Sequence, residues 1–419
     1  MRDWSAASLR RLIDAARGHR PVDLCIRGCR MVNVFSGTIE TVNLGIDAGF
    51  IVGWGDYEAE HSMEAEGMFA CPGFIDGHIH IESTMLSPAQ FAAAVLPWGT
   101  TAVVADPHEL ANVYGLDGIR YLLEAVEGIP LDFYFNLPSC VPASPLETSG
   151  AHLSASDLHG FKAHPRILGL AEVMNFPGVL MGVPEIMEKL LMFRDVVVDG
   201  HAPGLGGLGL NGYVSSGIRS DHECTSLEEA REKLARGMTI MIREGSQSKD
   251  LAALLPLVGD QTWPQCMFVS DDRHPDDLWR EGHMNTIVNR AMSMGMEPVR
   301  ALTLASLTPA RYFGLSRRGA IAPEAQCRRS SPLAGSTSIS EQRSTCSVCR
   351  IISTALSSRR PMSSAAERTP AASSAWRQTP ALVSFRLDIN IVLPFFHAAG
   401  CYGARTGAPQ GLNRPRQQP

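Results

Sequence analysis

The sequence predicts an α/β chain: a (β/α)8 TIM-type barrel preceded by a small β-layer and followed by a tail of low order. Three observations carry that prediction. Strand-like runs alternate with helical patterns from residue 73 onward. The runs are short and apolar on both faces, as in a parallel sheet. Eight such units fit within roughly 225 residues, the size of a closed barrel. A doubly wound open sheet is the alternative, disfavoured because no G-x-G-x-x-G turn follows the first strand.

The opening MRDWSAASLRRLIDAARG has the apolar spacing of an amphipathic helix. It lacks the apolar core of a signal peptide, and Asp3 and Asp14 interrupt a presequence pattern. VDLCIRG, CRMVNVF, VNLGIDA and FIVGWG then read as short strands broken by Gly and Asp, part of a β-sandwich left incomplete here, so that residues 1–70 form a first unit. The barrel is placed at 71–323. Its eight strands are GFIDGHIH, TTAVVAD, DFYFNLPS, ILGLAEV, VVVDGHA, IRSDHEC, TIMIREG and QCMFVSDD, with helical patterns such as SPAQFAAAVLPWG and SLEEAREKLARG between them. Ser87 before Pro88 marks a helix start, and Ser226 with Glu229 reads as a capping box.

Bulk composition excludes several classes. The 419 residues are 45% hydrophobic and 19% charged, an ordinary soluble mixture. No run approaches the length of a spanning helix. A net charge of −6 gives no reason to expect nucleic acid or a membrane surface as partner. The ten cysteines are scattered through a chain too large to need a disulfide framework, which points to reduced thiols in a cytoplasm.

The stretch HIHIES raises the chemical question. His78 and His80 stand two apart on one strand, so both imidazoles face the same way. An isolated pair is most simply a pair of satisfied histidines. However, other strands also end in polar side chains: Asp106 and His108, Glu172, His201, His222, Arg243 with Glu244, and Asp271 with Asp272. A barrel brings strand ends to one mouth. Four imidazoles and two carboxylates converging there would be costly to desolvate without cations, which points to a metal site.

The stretches PGFIDGHIHIESTML, VVADPHELANVYG, LPSCVPASPLETSGA, GLAEVMNFPGV, VDGHAPGL, SDHECTSLEEA, IMIREGS and SDDRHPDDL resemble the amidohydrolase superfamily and, within it, the bacterial-type adenine deaminases. The resemblance covers about residues 22 to 323. It implies two divalent cations, manganese first with iron or zinc as alternatives. By position, His78, His80 and Asp271 hold one ion, His201 and His222 the other, and Glu172 bridges them. It further implies hydrolytic removal of the 6-amino group of adenine, a small-molecule purine substrate, and a homo-oligomer in the intact family. Asp271, Glu172 and His108 are the expected catalytic residues. Glu82, Asp106, Glu109, Glu223 and Asp272 are expected to contact the purine or support the ligands, and Arg243 with Glu244 to form an ion pair in the wall. The alternatives are a hydrolase of cyclic amides or ureides and an inactive metal-binding homologue.

The third unit, 324–419, differs in kind. Residues 1–324 carry a net −15, whereas 325–419 hold 12 arginines, no lysine and 3 acids. After RRGAIAPEAQ the expected strand phrase is replaced by CRRSSPLAGSTSIS. The codons TGC-CGA-CGT-AGT spell Cys-Arg-Arg-Ser, as at 327–330, and give Ala-Asp-Val-Val when read one base later, so a shifted reading frame near Cys327 is expected. That would leave the β-layer with open edges. The pair Cys346 and Cys349 has no partner pair and reads as chance.

Overall fold

A computed structural model of the chain describes residues 5–144, 146–325 and 389–392. The first helix spans Ala6–Ala16, with Ser5 and Ser8 forming a reciprocal capping box. It leads into a mixed sheet of β1 (Val22–Asn33), β2 (Thr38–Asp47), β3 (Phe50–Trp54), β4 (Ala59–Glu64) and β5 (Phe69–Pro72). β1 pairs antiparallel with β2 and runs parallel to β4 and β5.

Two features of this layer differ from the sequence reading. VDLCIRG and CRMVNVF lie in one strand, because Gly28, at φ 68°, takes up the register shift between Ile26 and Cys29 as a bulge rather than a break. The edges are also partly covered. Residues Ile389–Val392 (β15) run antiparallel to β5. Beside β3, the Ile51 N–H donates to the Ala325 carbonyl at 3.0 Å and the Glu324 N–H donates to Ile51 at 2.9 Å. Backbone pairing needs only an accessible row of donors and acceptors, so the end of the barrel segment reaches an edge that the sequence reading had left open. Of the tail expected over 324–419, only Glu324, Ala325 and 389–392 are described; Cys327 and the pair at 346 and 349 lie outside the described residues.

The barrel strands are β6 (Phe74–His80), β7 (Thr100–Ala105), β8 (Asp132–Leu137), β9 (Ile167–Val173), β10 (Val197–Gly200), β11 (Ser220–Asp221), β12 (Thr239–Arg243) and β13 (Cys266–Val269). Parallel ladders join β6 through β10 and again β11 through β13. Between β10 and β11 a single backbone bond, Arg219 N–H to Val198 O at 2.9 Å, bridges the seam. The chain closes where β14 (Asp271–Asp272) pairs with Ile79 and His80 of β6. Val104 of β7 packs with Met241, Met267 and Val269 of β12 and β13. These strands are not neighbours in the ladder order, so they meet across a filled interior.

The helix starts largely follow the sequence. Ser87 caps the helix Pro88–Val95 with a full box through Gln90. At Leu227–Leu234, Ser226 accepts from the Glu229 N–H, but the reciprocal half is missing. Glu229 turns instead to Lys233 at 2.6 Å and to the Gly204 N–H at 2.8 Å. A buried ammonium competes better for that carboxylate than a backbone amide does. Among the described residues no helix is long and apolar enough to cross a membrane, and the six described cysteines are buried.

Candidate metal centre

Every polar residue picked out at a strand end lies at the same end of the barrel, because all eight strands run parallel. Glu172, buried in β9, is the hub. Its Oε1 lies 3.3 Å from His80 Nε2 and 3.9 Å from His78 Nε2. Its Oε2 lies 2.5 Å from His201 Nδ1 and 3.1 Å from His222 Nε2. One carboxylate thus faces two histidine pairs, one with each oxygen. On the far side, Asp271 Oδ1 is 3.4 Å from His78 Nε2 and 3.2 Å from His80 Nε2. The rings of His78 and His222 stack at 4.1 Å between centroids.

Three groups of ligating atoms each gather within 4.8 Å: Glu172, His201 and His222; His78, His222 and Asp271; and His80, Asp106, His108 and Glu172. His78 Nε2 and His222 Nδ1 are buried with no hydrogen-bond partner among the described residues. Buried imidazole nitrogens without partners, set beside two carboxylates, are the donors that first-row divalent metals take. The His80 ring is oriented by its Nδ1, 3.1 Å from the Asp106 carbonyl, the kind of outer contact that fixes a ligand tautomer.

Without cations these groups hold one another as ions. Burial lowers His80, but its contacts with Asp271 and Glu172 more than offset this and raise it well above the usual imidazole range. Burial also lowers His222 and His108, yet Glu172 lifts His222 from 6.5 to about 9 and Asp106 lifts His108 to about 9. Burial raises Asp271 and Glu172, and the surrounding imidazoles pull both below the carboxylate range. A raised histidine contributes stability that is complete below its unfolded value and is lost as pH rises through its folded value. The metal-free protein is therefore expected to lose thermal stability between pH 6.5 and about 9. Metal uptake, which needs neutral imidazole, should release protons and tighten over the same window. Melting curves and pH-stat metal titrations check both.

The remaining predicted residues divide. Asp106 Oδ2 lies 3.0 Å from His108 Nδ1, and Oδ1 accepts the His108 N–H at 3.1 Å. Glu82 accepts the Leu110 N–H with Oε1, while its Oε2 is buried and finds no partner among the described residues; burial pushes it up to about 7. Glu109 is raised as well, by burial first. Glu223 comes closer than expected, 3.5 Å from His222 Nε2 and 3.8 Å from His201 Nδ1. Asp272 pairs through its backbone with His80.

The expected ion pair between Arg243 and Glu244 is not formed. Successive strand residues face opposite ways. Arg243 turns inward to Glu223, to Asp250 at 3.1 Å and to Asp271 Oδ2 at 3.1 Å, whereas Glu244 binds Arg290 at 2.7 Å. The sequence reading also missed Asp76, Ser270 and His283, which lie buried beneath the ligands. Asp76 carried a signal, standing two residues before His78 on the same strand face.

The model of the amidohydrolase family matches residues 69–326. The chain belongs to the amidohydrolase family. This is a family of divalent-metal enzymes, in keeping with the clusters just described. This amidohydrolase is 69% identical over 320 residues to a protein of Syntrophobacter fumaroxidans named adenine deaminase, covering 76% of this chain and 56% of that one. It is 50% identical over 314 residues to the adenine deaminase of Desulfatibacillum aliphaticivorans, covering 74% and 55%. The chain spans about half the length of these curated relatives. Among solved structures it resembles a crystal structure of an adenine deaminase, with TM-score 0.55 at 14% identity over 74% of this chain and 92% of that one. It also resembles a zinc-bound adenosine deaminase from Xanthomonas campestris, with TM-score 0.53 at 16% identity over 73% and 85%. At these identities the structural likeness bears on the fold alone.

Proposed function

We propose that this amidohydrolase deaminates adenine hydrolytically, giving hypoxanthine and ammonia, with two divalent cations at the barrel mouth. The 69% identity to a protein named adenine deaminase carries the choice of substrate. The two-sided Glu172 supports the binuclear reading. His78, His80 and Asp271 would hold one ion, His201 and His222 the other, with Glu172 shared. Manganese is our first choice of metal, with iron or zinc as alternatives, since His and carboxylate ligands suit several metals.

When bound, such cations lower the pKa of a water molecule from 15.7 toward about 7. The rest falls to the chain. Asp271, ionised among the imidazoles and held by Arg243, accepts the proton released as water oxygen bonds to C6 of adenine. It returns that proton to the 6-amino nitrogen, the C6–N bond breaks, and ammonia leaves while C6 keeps the oxygen. His108, beside Asp106 at 3.0 Å, would donate to the purine. The partnerless Oε2 of Glu82, with Glu109 near it, would contact a ring nitrogen.

The end of the family match at residue 326 supports a frame change near Cys327. The division into units at 1–70, 71–323 and 324–419 is part of the same proposal, as is a cytoplasmic setting.

The test is direct. Manganese-loaded protein incubated with adenine should yield equimolar hypoxanthine and ammonia, and adenosine should react poorly. Inert adenine with a cyclic amide or ureide hydrolysed would replace this reading with the related hydrolase. Inertness toward both, with metal bound, would mark an inactive homologue.

A further inference from the structure

Asp271 occupies a backbone conformation that few residues with a side chain adopt, at φ 56°. Left-handed backbone at an aspartate persists when its surroundings hold it there. The holding groups lie one layer below the ligands. Asp76 of β6 is fully buried. Its Oδ1 accepts the Ser270 N–H at 3.1 Å and the His78 N–H at 3.3 Å. Its Oδ2 accepts the Ser270 hydroxyl at 2.5 Å and lies 3.0 Å from His283 Nε2. The other ring nitrogen of His283 is 2.9 Å from Thr100 Oγ1 at the start of β7. One carboxylate therefore grips the backbone on both sides of the cage, at the first histidine ligand and at the residue before Asp271.

We propose that Asp76, buttressed by His283, is a positioning residue that fixes the backbone of Asp271 against His78 and so sets the spacing of the metal and proton-handling groups. The role of Asp271 rests on the function proposed above. The network itself is read from geometry. A buried carboxylate tied to a hydroxyl, two amides and an imidazole is weak as a source of stability, because its desolvation offsets its contacts. It is strong as a source of unique geometry. A purely stabilising role would not need the same carboxylate to bind the backbone at His78 and at the residue before Asp271. Ser270 lies between β13 and β14 and Asp76 on β6, where the barrel closes, so any slackness there moves Asp271 relative to both His78 and His80.

The test compares Asp76→Ala, Asp76→Asn and Ser270→Ala with Leu190→Ala, a core truncation away from the cage. Metal affinity is measured by chelator competition, and kcat and KM for adenine at saturating metal. Asp76→Ala should weaken metal binding and lower kcat by about 10–100-fold each, the range for outer partners of ligands. KM should change much less. Asp76→Asn, which keeps one acceptor, should fall between Ala and wild type. Ser270→Ala, the milder variant if Asp76→Ala does not fold, should shift both readouts in the same direction by a smaller factor. The proposal is overturned if the Asp76 and Ser270 variants lose no more metal affinity than Leu190→Ala at matched melting temperature. It is also overturned if Asn and Ala behave alike. Should metal-loaded wild type leave adenine untouched, the proposed function fails, and the chelator competition alone still decides the positioning role.

Discussion

Replacing Glu172 by alanine is expected to leave purified protein with at most one equivalent of divalent metal, down from two, and with deaminase activity reduced by more than about a thousandfold. The size follows from its position. Loss of an outer partner costs about 10–100-fold in affinity or activity, and Glu172 contacts both histidine pairs directly, with Oε1 3.3 Å from His80 and Oε2 3.1 Å from His222. Without that carboxylate, His222 loses the group that raises it to about 9, and three buried imidazoles are left beside the half-buried His201. The variant should therefore also lose the metal-induced rise in melting temperature. Elemental analysis with paired melts, with and without added manganese, checks this. Two tightly held equivalents in the variant would show that Glu172 is not the bridge.

The second large effect is expected at Asp271. Asparagine there keeps the shape and one acceptor oxygen but cannot carry a proton. General acid–base groups contribute about 10²–10⁴-fold, and Asp271→Asn should lower kcat by about a thousandfold while KM for adenine changes little. Metal content should fall less than in the Glu172 variant, because Asn still offers one oxygen beside His78 and His80 to the ion they would share. Arg243 also keeps its contacts with Glu223 and Asp250, so the wall should stand. The measurement is kcat and KM on protein of known metal content. A variant within tenfold of wild type in kcat would reassign the proton transfer to another group, with His108 the next candidate.

Much of the barrel was legible because its signals are local and periodic. HIHIES, AEV and SDD place polar residues at the ends of apolar runs, and the parallel ladders bring those ends together. What was missed depends on side-chain direction or on distant partners. Arg243 and Glu244 look like an ion pair in sequence, yet alternation sends one into the site and the other to Arg290. Glu229 looks like half of a capping box until the buried Lys233 competes for it. β1 was divided at Gly28 because a glycine reads as a break, and the bulge that keeps one strand is visible only from its pairing with β2. His283 carried no local signal at all. Its partners Asp76 and Thr100 are far away in the chain, and only the closing of the barrel brings them together.

The most direct measurement of the central claim is the metal-to-protein ratio of soluble, folded chain produced with manganese supplementation. Close to two equivalents of divalent metal per chain are expected. Soluble, folded protein without stoichiometric metal would contradict that claim.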